Sequence, residues 1–194
     1  MMTTRIRTLS TALLACGLAS PAAADWSIDS ETSVLHFLST KNAQVTEVHK
    51  FDSFNGTLSD SGKLSVAVDL SSVNTAIDIR NQRMQDMLFN VSKFAQATFE
   101  ANLPESMMNL KAGEVANGNV DGILVLHGKA VPTSFSITAS KVDEGTLTVS
   151  TTAPTLIKAE SFGLAEGVAA LQKIAGLKSI TTTVPVTFAV TFEQ

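Results

Sequence analysis

Cysteine is almost missing from this chain of 194 residues, which has only Cys16. Past that position there is no thiol nucleophile, no disulfide and no cysteine-based zinc site. Tyrosine is absent, and ten phenylalanines stand beside one tryptophan. The three histidines, His36, His49 and His127, have no second histidine or carboxylate at helical ligand spacing. Prolines number five, and no Pro/Gly/Ser-rich linker or internal repeat divides the chain. No G-x-S-x-G, no ordered Ser/His/Asp set and no phosphate-cradling glycine loop occurs. The expectation is a protein that is not an enzyme and needs no cofactor and no metal.

Positive charge is scarce as well. Apart from Arg5 and Arg7, 12 Lys and Arg face 18 Asp and Glu. That balance excludes nucleic acid as a partner, since no basic excess is available to neutralise phosphates.

The N-terminus carries Arg5 and Arg7 with no acid, then a mostly apolar run over Thr8–Ala19, then "SPAAAD". Together these read as a signal peptide over 1–24, cleaved after Ala24, and the run is too short for a membrane anchor. The alternative is a lipoprotein acylated at Cys16 within "LLACG". Residues 25–194 then form one domain, exported and periplasmic, with no membrane span.

What the chain has in abundance is alternation. In "VPVTFAVTF", Val184, Val186, Phe188, Val190 and Phe192 share one face. Phe135, Ile137 and Ala139 do the same, as do Leu147, Val149 and Thr151, and Leu64, Val66, Val68 and Leu70. Period two marks half-buried antiparallel strands. Eight long runs are expected at 33–41, 44–54, 63–70, 96–103, 106–113, 119–127, 131–141 and 145–152, with a last one at 180–192. Turns are expected at "SDSG" (59–62), "NGN" (117–119), "HGKAVP" (127–132) and "DEG" (143–145). Strands this long favour closure into a barrel, whose lumen at eight strands holds side chains or one small ligand.

Two stretches break the pattern. "IDIRNQRMQDMLFNV" spaces Ile77, Met84, Met87, Leu88 and Val91 helically, with Asp78 as candidate N-cap. "AEGVAALQKIAG" does so with Val168, Leu171 and Ile174 and stops at Gly176. The second reads as a packing helix over a side or end of the barrel. In the first, Arg80 and Arg83 are either solvated, with Arg83 paired to Asp86, or a cationic rim for an anionic head group. Met84, Met87, Leu88 and Phe89 are either plain core or an adaptable lining for a long apolar ligand. Phe37, Phe54 and Phe99 are further candidates for that lining. Glu47 and His49 fall on one face of a strand, where a hydrogen bond at the rim is expected rather than a metal site.

Several segments, in order, resemble the YceI family. They are "WSIDSETSVLHF" at the start of the expected mature chain, "FNGTL" at 54–58, "VDLSSVNT" at 68–75, "IRNQRMQDMLFNVSKFAQATF" at 79–99 and "LVLHGKAVPTSF" at 124–135. The most specific matches are Arg80, Phe89-Asn90-Val91 and Lys93-Phe94. Ala95 stands where the family often has proline, and Ala159 and Ser161 replace a usual arginine and acid. The resemblance implies a mainly β, lipocalin-like eight-stranded antiparallel barrel with one or two short helices. It also implies that a long-chain lipid or isoprenoid occupies the lumen. Alternatives are a quinone- or partner-binding accessory protein of stress response or electron transport, and a filled barrel acting through its surface. A homodimer is left open.

Overall fold

A computed structural model describes residues 25–194; the expected signal peptide, its cleavage site and Cys16 lie outside them. The alternating runs form strands β1 (Trp26–Lys41), β2 (Val45–Phe51), β3 (Phe54–Leu58), β4 (Lys63–Asp69), β5 (Val73–Asn74), β6 (Gln96–Asn102), β7 (Val115–Leu126), β8 (Lys129–Lys141), β9 (Thr146–Thr151), β10 (Thr155–Lys158) and β11 (Thr183–Glu193). All pairings are antiparallel. The circuit β1–β3–β4–β6–β7–β8–β9–β11 returns to β1, closing an eight-stranded barrel without a long free edge. Short β5 pairs with β2, which runs along the upper half of β1, and β10 runs along the upper half of β11.

Closure depends on two shifts in the pleat. Trp26 and Ile28 point inward at even positions, whereas Leu35, Phe37, Ser39 and Lys41 point inward at odd ones. The bulge between Asp29 and Val34 makes that change, and Ser33 fills it by accepting a hydrogen bond from the Thr191 N–H at 3.0 Å. The run expected at 44–54 is likewise split at Asp52–Ser53. Glu47, His49 and Phe51 face inward before the break, and Phe54, Gly56 and Leu58 after it.

The segment 106–113 is not a strand. Helix α2 (Glu105–Met108) follows Pro104, and its Met107, 3% exposed, plugs the lower end. "NGN" is not a turn but lies inside β7, where Asn117 and Asn119 accept hydrogen bonds from Thr138 and Ser136 of β8. Of "HGKAVP", only His127 and Gly128 turn, both at positive φ, and Pro132 is paired within β8.

Two crossovers cover the upper end. The first holds α1 (Asp78–Arg83), which continues through Met84–Phe89 as a wider π-helical turn and ends at left-handed Asn90. The π turn brings Met84 and Phe89, five apart, to the same side, and both are buried. Asp78 is not the N-cap. It is the first helical residue, after Ile77, and Thr75 and Asn81 secure the start instead. The second crossover holds α3 (Ala165–Ile174), which packs on the π turn and stops before Gly176 at positive φ. No helix among the described residues is long and apolar enough to cross a membrane.

Candidate functional site

The inward faces of the staves do not fill the barrel. A cavity of about 460 Å³ runs from the helices toward the base, within the size range of small-molecule sites. Its wall is aliphatic and aromatic nearly throughout. Phe99, Phe135 and Phe188 stack edge-on at ring separations of 5.0 and 5.5 Å. Nearer the lid, Phe51 lies between Phe37 and Phe89, at 5.3 and 6.0 Å. The base is shut by Trp26, Leu58 and Met107, with the Lys141 ammonium 3.8 Å from the centre of the Trp26 ring.

Polar lining is confined to one end. Ser39 and Lys41 from β1, Glu47 and His49 from β2, Arg80 and Arg83 from α1, and Thr181 all border the cavity there. The lining residues that are exposed are Ile77, Ile79, Ile174, Ala175 and Thr181. The mouth therefore opens between the start of α1 and the end of α3. On its far side, the α3–β11 loop is stitched to the β1–β2 turn. The Lys178 N–H donates to Asn42 Oδ1 at 2.8 Å, and the Thr181 N–H donates to the Thr40 carbonyl at 2.9 Å.

The mouth is electrostatically organised. Glu47 Oε2 receives Lys41 Nζ at 2.7 Å and an Arg80 guanidinium nitrogen at 3.0 Å. The Lys41 contact above all, and then the Arg80 charge, hold its carboxyl below the ordinary range. Arg80 is otherwise bound to Thr75, donating to its hydroxyl at 2.8 Å and its carbonyl at 2.6 Å. His49 is 4% exposed and lies 3.1 Å from Ser39 Oγ. Burial, and after it the Arg80 charge, hold the imidazole below its ordinary pKa. The expected hydrogen bond at the rim thus goes to Ser39, while Glu47 serves the cations.

Of the residues singled out in the sequence, Phe37, Phe54, Arg80, Arg83, Met84, Leu88, Phe89 and Phe99 all line this cavity. Met87 does not. It is 36% exposed, because the π turn directs it away from the lumen while its carbonyl abuts α3. Arg83 has no ion pair with Asp86, and it makes no hydrogen bond or ion pair among the described residues. The lining from α3 and the loop after it, Val168, Leu171, Ile174 and Leu177, was readable only as a packing helix. Ala159 also lines the cavity, so the space where the resemblance leads one to expect an arginine is apolar here. Among the described residues no cluster of His, Asp or Glu is arranged to hold a metal.

The sequence pattern of the YceI-like domain matches residues 26–192. A polyisoprenoid binding domain from Saccharophagus degradans, implicated in plant cell wall breakdown, is 35% identical. The match covers 87% of this chain and 97% of that one, with a TM-score of 0.83. BcnA of Burkholderia cenocepacia is 20% identical over 84% of this chain and 98% of its own, with a TM-score of 0.65. A Campylobacter jejuni YCEI protein is 15% identical over 96% and 99%, with a TM-score of 0.58, and shares the fold. No curated protein sequence matches.

Proposed function

The chain belongs to the family of YceI-like domains, and from that premise we propose that it is a binding protein rather than an enzyme. It holds a long apolar ligand, a polyisoprenoid or similar lipid, in the barrel lumen. The observation that carries this is the continuous apolar cavity of about 460 Å³ with polar groups only at its mouth. The polyisoprenoid binding of the 35% identical relative supports the same class of ligand.

Magnitudes favour the chain over the head group. Each buried CH₂ contributes about 0.8 kcal/mol, so roughly ten of them reach the level of a micromolar complex. A screened ionic contact at the mouth adds about 1 kcal/mol at most. The protein acts in the periplasm in this proposal, after cleavage of residues 1–24, as a monomer or a homodimer.

A quinone-binding accessory role is the second reading, and one observation favours it. Lys41 and Arg80 both direct their charge to Glu47, leaving Arg83 as the cavity-lining cation without a partner among the described residues. That arrangement suits a neutral head group better than a pyrophosphate. Native mass spectrometry of the purified exported protein decides between them. A retained isoprenoid lipid supports the first reading and a retained quinone the second. A protein that is empty and takes up neither overturns both.

A further inference from the structure

The exposed edge of the cavity is apolar. Ile77, Ile79 and Ile174 are 46%, 54% and 48% exposed, and all three line the lumen. Charge gathers around the same edge. Lys41, Arg80 and Arg83 border it from within, and exposed Lys173 and Lys178 flank Ile174 and Leu177 from outside. Glu47, already paired twice, is the acid among the described lining residues, and Asp78, Asp86 and Glu166 lie on the helical segments that border the mouth. Five cations to four acids at this pole contrasts with the remainder of residues 25–194, which carries 7 Lys and Arg against 14 Asp and Glu.

We propose that this mouth is a docking face for an anionic phospholipid bilayer, from which the lumen is loaded. The proposal rests on the lipid-binding function above, because such a ligand partitions into bilayers and not into water. Exposed isoleucines enter the interface between head groups and acyl chains, while the lysines and arginines meet lipid phosphates. The acidic remainder of the barrel is repelled by the same surface, so the molecule approaches mouth first. A ligand then passes between α1 and α3 without crossing water.

The test is flotation of the purified protein with phosphatidylcholine vesicles, with and without phosphatidylglycerol and free of any prenyl lipid. Each cation near an anionic surface strengthens binding about fivefold. Binding should therefore need phosphatidylglycerol, weaken as salt is raised, and fall at least tenfold in K173E/K178E. Ile79→Asp with Ile174→Asp should abolish it. Neither lysine lines the cavity, so K173E/K178E should still load a prenyl lipid from detergent micelles while taking it up slowly from vesicles.

A wild-type protein that loads from micelles but ignores anionic vesicles overturns the proposal, as does vesicle binding that K173E/K178E leaves unchanged. A dimer that Ile174→Asp dissociates, with no vesicle binding, overturns it in favour of a contact between copies. Vesicle binding without any lumen loading upholds the docking face and overturns the ligand-binding function instead.

Discussion

Arg80 and Glu47, 33 residues apart, meet at 3.0 Å and fasten the first crossover helix to the strand across the mouth. Arg80 is therefore a tie within the protein, whereas the side chain of Arg83, one turn further on, has no hydrogen-bond or ion-pair partner among the described residues. Arg80→Gln leaves the carbonyl and hydroxyl of buried Thr75 without their donor. The expected loss is about 1–2 kcal/mol, with little from the half-exposed ion pair itself. Arg83→Gln should leave stability unchanged and weaken a prenyl pyrophosphate several-fold relative to a prenyl alcohol. Urea unfolding of both variants, with ligand titrations, checks the division of roles. Equal destabilisation by the two would refute it.

Leu88 and its neighbour Met87 provide an internal control. Leu88→Gln puts an amide in the apolar lining and should reduce lipid retention at least tenfold. Met87→Gln faces solvent and should change stability by less than about 0.5 kcal/mol, with retention unchanged. Melts recorded with and without a prenyl lipid separate loss of binding from loss of folding. If the Met87 change matters as much as the Leu88 change, the orientation of the π turn is wrong.

The lid depends on a missing side chain. A Cβ on Gly167 would lie 2.8 Å from the Met87 carbonyl oxygen and 2.9 Å from Leu88 Cα, both backbone atoms that cannot rotate aside. Overpacking of this kind costs about 1–3 kcal/mol, more than the roughly 1 kcal/mol that alanine gains over glycine in a helix. Gly167→Ala should lower Tm by a few degrees and speed ligand exchange by parting α3 from the π turn. A higher Tm would contradict the close approach.

His49 predicts a pH dependence with a definite sign. Its folded pKa lies below the unfolded value, so the unfolded chain binds the proton more readily. The stability due to the neutral imidazole is complete above about pH 6.5 and declines as pH falls through that value toward the folded pKa. Melts between pH 7.5 and 5 should show this slope in the wild type and a flatter one in His49→Gln. An identical slope in both would remove His49 as the cause.

Processing gives a separate check. Intact mass of the exported protein should place its N-terminus at Asp25. A diacylated Cys16 would replace that expectation with a membrane tether.

Period two was legible wherever a strand keeps one parity, as in β11, where Val184, Val186, Phe188, Val190 and Phe192 all face the lumen. It failed where the pleat slips. The even-to-odd shift through Ser33 hid residues 26–32 of β1, and the break at Asp52 and Ser53 split β2 from β3. Glycine misled at Gly118. Its role there is to leave room for Met107, whose Cε lies 2.8 Å from where a Cβ would be, and not to turn the chain. Pro104 followed by Glu105 was a helix start signal that the alternation of 106–113 masked. The cavity residues of the first crossover could be read because their helical spacing stands out among strands. The network at the mouth could not, since Arg80, Thr75, Glu47 and Lys41 come together only when the barrel closes.

The pairing of Ser27 with Glu193 sets both ends of the described chain side by side, at the pole opposite the mouth. A fluorophore, a surface linker or a fused reporter placed at either end would thus sit away from the lumen and its rim. Immobilised that way, the barrel stands upright with its opening toward solution, and lipid entry can be followed without obstruction from the attachment.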